Sequence, residues 1–85
     1  MWYVYILKSK VKDYIYVGST NNLKRRIDEH NSGMCRSTAP HKPLILEAFV
    51  GVRTEEKARK LEKYFKTGSG KAILNKRILT DEALA

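Results

Sequence analysis

Two short stretches with a two-residue repeat, set a hairpin's length apart, constrain this chain more than any other feature. In Trp2-Tyr3-Val4-Tyr5-Ile6-Leu7, the residues Trp2, Val4 and Ile6 take one side and Tyr3, Tyr5 and Leu7 the other. In Tyr14-Ile15-Tyr16-Val17-Gly18-Ser19, Ile15 and Val17 oppose Tyr14, Tyr16 and Gly18. Side chains alternate faces in this way only on a strand. The polar stretch from Ser9 to Lys12 between them suits a hairpin. A register with Leu7 opposite Tyr14 sets Tyr5 opposite Tyr16 and Tyr3 opposite Gly18. Both phenols then share one face, with Cβ atoms about 4.5 to 5.5 Å apart.

The period changes after Gly18-Ser19-Thr20-Asn21-Asn22, a run of turn and capping residues. Leu23, Arg26, Ile27 and His30 stand at i, i+3, i+4 and i+7 and predict a first helix, ended by Asn31-Ser32-Gly33. Arg36 to Pro43 reads as a basic loop, and Leu44 to Val52 as a third strand buried on at least one face. Thr54 is placed to cap a second helix whose first turn carries Glu55 and Glu56, favourable at the positive end of the helix dipole. Its inward stripe is Ala58, Leu61 and Phe65, with Glu62 among them, and Gly68-Ser69-Gly70 is expected to stop it. A last short helix from Lys71 to about Leu79 holds Ala72, Ile73, Leu74 and Ile78, with Asn75 beside them. The expected organisation is one α/β domain of the α+β type over residues 1–80, followed by a short tail at 81–85.

At 85 residues the chain has room for one small core, because a domain this size hides only about 60% of its unfolded surface. Seventeen Lys and Arg against nine Asp and Glu leave a formal charge of +8, which selects either a polyanionic partner or a strongly solvated surface. No apolar run approaches the ~20 residues that span a bilayer. The apolar opening has no basic leader or cleavage site and is read as part of the fold. Cys35 is the single cysteine, which excludes an internal disulfide, and the expected setting is cytoplasmic.

Three groups break the packing rules. A carboxylate in an inward stripe costs several kcal/mol unless it is paired or binds a cation. Glu62 is therefore either in a salt bridge with Arg26 or a lysine, or a ligand for a hard cation such as Mg²⁺, which takes one or two carboxylates and keeps several waters. Arg26 and His30 stack four residues apart on one helical face. Arg26 has surface partners in reach at Asp28 and Glu29. The pair also suits a phosphodiester, with guanidinium on its oxygens and imidazole moving a proton. Tyr5 and Tyr16 are either sheet aromatics or part of the same chemistry.

Taken in order, Tyr3-Val4-Tyr5, Tyr16-Val17-Gly18, Arg26, His30 and Glu62 resemble the GIY-YIG nuclease family, across most of the chain. Asn31-Ser32-Gly33 and Lys66 to Gly70 look like its small single-domain branch, without the DNA-targeting domains of larger members. The resemblance implies a small three-stranded antiparallel sheet flanked by helices, and a metal-dependent endonuclease that hydrolyses DNA by one in-line water attack. It implies Tyr5 as general base, Tyr16 and Gly18 as second-motif residues, and Arg26 and His30 as phosphate-stabilising and assisting groups. Glu62 would be the protein ligand of Mg²⁺ or Mn²⁺, and Asn75 the C-terminal motif asparagine. Val4 and Val17 stand where the motifs have isoleucine, and Tyr3 where the first has glycine. The implied partners are branched, nicked or single-stranded DNA, with a targeting protein in place of the missing domain. Contacts to DNA are expected from Lys24, Arg25, Arg36, Lys63 and Lys66. A phenol with a pKa near 10 is about 0.1% ionised at pH 7, so Tyr5 must be relayed through Tyr16 or His30, or depressed by cationic surroundings. The rival expectation is a nucleic-acid-binding module on the same fold that does not cut, or cuts only with a partner.

Overall fold

The computed structural model describes residues 1–79, so the expected tail at 81–85 and the domain end at residue 80 lie outside the described residues. Strands β1 (Trp2–Ser9) and β2 (Ile15–Thr20) lead into helix α1 (Leu23–Asn31). A 3₁₀ turn at Ala39–His41 precedes β3 (Leu44–Val52), α2 (Glu55–Phe65) and α3 (Gly68–Ile73), and one π turn at Leu74–Ile78 follows. The three strands form one antiparallel sheet in the order β2-β1-β3. This is the α+β arrangement that the alternating patterns and the resemblance imply.

Because β1 is central, both of its faces are covered: Val4, Tyr5, Ile6 and Leu7 are each at most 1% exposed. One face carries Val4, Ile6 and Val17 under Ala58, Phe65 and Leu74 from α2 and the π turn, with Trp2 and Leu61 at its margin. The other carries Tyr5 and Leu7, joined by Leu44, Tyr14 and Tyr16 and covered by Leu23 and Ile27 of α1. Full burial of an aliphatic side chain contributes about 1.5–3 kcal/mol, so these two clusters hold the layers together.

The hairpin register differs from the expected one by two residues. Leu7 pairs with Tyr16, Tyr5 with Gly18 and Tyr3 with Thr20. The cause is the turn: the Ser9 hydroxyl accepts hydrogen bonds from the Val11 and Lys12 amides and donates to the His41 carbonyl, while the Ser9 amide donates to the Tyr14 carbonyl. Tyr14 thereby closes the loop rather than starting the strand. A shift of two keeps every side chain on its expected face, whereas a shift of one would have exchanged the faces.

Asn22 and Thr54 cap α1 and α2 through side-chain bonds from the amides of Arg25 and Lys57. Gly33, in the left-handed region at φ 85°, closes off α1 as its turn sequence predicts. Asn31 does more than end the helix, since its amide group accepts from the Leu44 amide and donates to the Leu44 carbonyl, fastening α1 to the start of β3. The expected stop at Gly68-Ser69-Gly70 is instead the first turn of α3, capped by the Thr67 hydroxyl on the Gly70 amide. Gly70 lies so close to the backbone of Tyr64 and Phe65 that a Cβ there would collide with the Tyr64 carbonyl. Glycine here permits two helices to meet instead of interrupting one. In the last segment Leu74 is fully buried, while Ala72, Ile73 and Asn75 face outward, because the short helix and its π turn present only one narrow edge to the sheet.

Candidate active site

β1 and β2 place the two tyrosines on the α1 face, diagonal to each other, with ring centroids 6.2 Å apart. Across from Tyr5 stands Gly18. A Cβ on Gly18 would sit 2.5 Å from the Tyr5 hydroxyl oxygen and 2.9 Å from the Tyr16 ring, so only glycine lets both phenols fold over the backbone there. α1 then lays His30 and Arg26 onto the same spot. His30 is fully buried, 4.9 Å from the Tyr16 ring centroid, and its Nε2 is 3.0 Å from the Tyr5 hydroxyl. The Arg26 Nε donates to the same hydroxyl at 3.4 Å, while its Nη1 pairs with Glu29 at 3.0 Å.

These bonds have one consistent direction. The Thr38 hydroxyl donates to the Cys35 carbonyl at 3.3 Å, so its oxygen accepts from His30 Nδ1 at 2.8 Å. With its proton on Nδ1, His30 offers Nε2 as an acceptor to the Tyr5 hydroxyl, whose oxygen in turn accepts from Arg26. Arg26, Tyr5, His30 and Thr38 form a chain of donors running inward from a half-exposed guanidinium to a fully buried threonine. Every buried polar group of that chain has a partner, as a low-dielectric interior requires.

Burial pushes the Tyr5 phenol up to about 12, against the pull of the Arg26 hydrogen bond. The expected depression by cationic surroundings is therefore overturned: Tyr5 keeps its proton at neutral pH. Burial also pushes His30 down, aided by the nearby Arg26 charge, and leaves a neutral imidazole. The hydrogen bonds to Tyr5 and Glu29 push Arg26 further up, so it stays cationic. Of the two relays that the sequence allows, the geometry provides the one through His30.

Glu62 comes from the other side. It extends from α2 to the sheet edge, where its Oε1 accepts from the Ser19 hydroxyl at 2.6 Å and its Oε2 pairs with Lys66 at 2.7 Å. Ser19 follows Gly18 on the edge strand, so Tyr5 and Glu62 flank adjacent residues of β2 from opposite faces. Lys66 spans the edge as well, with its ammonium 6.0 Å from the Tyr16 ring centroid. The helical wheels place all five groups in one patch, but only Tyr5, Tyr16, Arg26 and His30 come together; Glu62 stands on the opposite face of the sheet, bonded to Ser19 and Lys66. The lysine salt bridge foreseen for Glu62 is present, made by Lys66 and not by Arg26.

Burial raises the Glu62 carboxyl, but the Lys66 ammonium and the Ser19 hydroxyl outweigh it and hold the group below the usual carboxylate range. It is thus an ionised, partly exposed carboxylate at the edge of the sheet. Among the described residues no three His, Cys, Asp or Glu side chains cluster to hold a metal ion. The donor set fits a hard cation that takes one carboxylate, keeps water and completes its shell on a substrate phosphate. Glu62 would be the residue to hold such an ion, and Lys66 now occupies its Oε2.

The expected DNA contacts lie on exposed ground. Lys24 and Arg25 lie on α1, Arg36 in the loop after it, Lys63 on α2 and Lys66 at the C-cap of α2. Arg25 also lies 4.0 Å from Glu29, and Lys66 is engaged by Glu62. Asn75 is exposed in the π turn. Sequence reasoning missed Thr38 and Ser19. Ser19 adjoins the second motif and could have been marked by position, whereas nothing local marks Thr38, which meets His30 only through the fold of the loop.

A three-stranded antiparallel sheet with an arginine–histidine helix on one face and a carboxylate-bearing helix on the other frames the candidate site. Residues 1–77 match the GIY-YIG catalytic domain, and the chain belongs to the GIY-YIG family. It is similar to the UPF0213 protein CPE1444 of Clostridium perfringens (strain 13 / Type A), 40% identical over 67 residues that cover 78% of this chain and 71% of that protein. No solved structure gives a significant match. No described helix is long and apolar enough to cross a membrane.

Proposed function

We propose that this protein is a divalent-metal-dependent endonuclease that hydrolyses DNA phosphodiester bonds by one in-line attack of water, in the cytoplasm. The observation that carries this reading is the directed chain from Arg26 through Tyr5 to His30. Tyr5 is 1% exposed and lies behind Arg26. A phosphate draws the guanidinium outward, because a bidentate Arg–phosphate pair is stronger than a bond to a neutral phenol. That movement uncovers the Tyr5 oxygen.

Tyr5 then takes a proton from the attacking water as its own proton passes to His30 Nε2. No free phenolate forms, so a phenol with a pKa of about 12 is still competent. The resulting imidazolium is held through Nδ1 by Thr38. Arg26 neutralises charge on the phosphate oxygens, and the 3′ oxygen leaves with a proton from solvent, giving 5′-phosphate and 3′-hydroxyl ends. Mg²⁺ or Mn²⁺ on Glu62 would supply positive charge to the phosphate and the leaving oxygen. Lys24, Arg25, Arg36 and Lys63 contribute phosphate contacts, and each neutralised phosphate adds about 0.9 to the salt slope of duplex affinity.

A second reading has its own observation. Lys66 and Ser19 occupy both oxygens of Glu62, and Tyr5 is covered, as in a module that binds nucleic acid without cutting unless a protein partner opens it. Purified protein incubated with nicked, flapped, branched and single-stranded DNA, with Mg²⁺, Mn²⁺ or chelator, separates the two. Metal-dependent cleavage that Glu62→Gln abolishes supports the nuclease. Salt-sensitive binding with no cleavage of any substrate supports the module.

A further inference from the structure

α1 covers only part of its sheet face. Beyond it, where β1 begins, Tyr5 pairs with Phe49 and Tyr3 with Gly51 on β3. Phe49 is 52% exposed although it stands one strand from the buried phenol of the relay chain. Its ring is braced edge-on by Tyr3, at a centroid distance of 5.8 Å and an interplanar angle of 74°. Tyr3 is braced in turn by lying across Gly51, where a Cβ would come within 3.5 Å of its ring. A large apolar ring left half exposed on a sheet face forgoes part of the gain of burial unless something covers it.

The neighbours select the cover. Adjacent strands are about 4.8 Å apart, so a flat apolar group on Phe49 lies one strand from Tyr5, whose hydroxyl reaches across to Gly18 on β2 and there accepts from Arg26. The complementary ligand has a π face and, one link away, a phosphate for a guanidinium on a chain of charge +8. An unpaired nucleotide has both. In an intact duplex each base face is already stacked on its neighbours, and only edges and backbone remain to be touched, so a duplex cannot use the ring.

We infer that Phe49, braced by Tyr3, is a stacking platform for an unpaired base of a DNA strand whose adjacent phosphate lies on Arg26. The substrate class is therefore DNA with a single-stranded segment at the cut. This deepens the nuclease reading and rests on it for the placement of the phosphate, but not for the stacking itself. It also gives Tyr3 a task at the position where the family's first motif has glycine.

The test measures binding of fluorescein-labelled oligothymidine and of a blunt duplex, at one salt concentration and in chelator so that cleavage does not intervene. The readout is the ratio of the two affinities. Phe49→Leu keeps an apolar side chain but removes the π face, and it is expected to lower the single-strand preference by about 5- to 150-fold, the range carried by one stacked base. Phe49→Trp restores it. Circular dichroism verifies the fold of both. An unchanged ratio in Phe49→Leu overturns the platform. So does an unchanged ratio accompanied by loss of a wild-type dimer in sedimentation, because the ring then covers a second copy of the chain. A platform that persists in a protein that never cleaves sinks the nuclease reading alone. Cleavage with no Phe49 dependence of the ratio sinks the platform alone.

Discussion

The two faces of the sheet share one central strand and are built from different chemistry. The face under α2 and the π turn is apolar, with Val4, Ile6, Val17, Ala58 and Leu74 around Phe65. The face under α1 buries Tyr5, His30 and Thr38, groups that must each find a hydrogen-bond partner to be tolerated there. The first can accept any side chains of suitable volume. The second accepts only side chains whose donors and acceptors match in direction, and that restriction makes it useful for moving a proton. Stability and chemistry are separated by the thickness of one strand.

The sharpest way to break that comparison is Tyr5→Phe. Removing the hydroxyl deletes the proton acceptor, and the cleavage rate is expected to fall by about 10² to 10⁴. Single-turnover cleavage at saturating Mg²⁺ measures it. The same change leaves His30 Nε2 without its donor and is expected to cost about 1–3 kcal/mol in a urea melt. Ile6→Ala, the next residue along but on the apolar face, is expected to do the reverse. It should lose about 2–5 kcal/mol of stability and retain the cleavage rate per folded molecule. Should Ile6→Ala slow cleavage as much as Tyr5→Phe does, the division between the faces is wrong.

Gly18→Ala probes the strand between the faces. The added methyl collides with the Tyr5 phenol, and overpacking of this kind costs about 1–3 kcal/mol, read as a lower urea midpoint. The smallest effect is in pH. His30 titrates lower in the folded protein than in the unfolded chain. As pH falls below about 6.5, the unfolded chain binds the proton first, so stability declines through the window down to the folded pKa. Above that window the His30 contribution is flat. Melts of wild type and His30→Gln between pH 8 and pH 5 check it, with a shallower acid slope expected in the variant.

Much of this was legible in the residues themselves. The alternation at Trp2 to Leu7 assigns those side chains of β1 to their observed faces, and the helical spacing of Leu23, Arg26, Ile27 and His30 turns the arginine and the histidine toward the tyrosines. Local rules reach this far because strand and helix periods fix direction without reference to the rest of the chain. The same rules fail at Gly68-Ser69-Gly70, which resembles a helix stop and serves as a helix start. Whether Gly70 ends a helix or admits a neighbouring backbone depends on how near Tyr64 comes.

By itself the sequence determined the order of strands and helices, the two sides of β1, the caps at Asn22 and Thr54, and the basic charge, since each depends on residues close together in the chain. Tertiary structure alone decided the two-residue register shift, the meeting of His30 with Thr38, the Lys66 and Ser19 partners of Glu62, and the burial that drives Tyr5 up and His30 down. The physical reason is range. Periodicity and capping act over a few residues, whereas desolvation and hydrogen-bond direction are set by every element that converges on a point, and three elements converge on the Tyr5 hydroxyl.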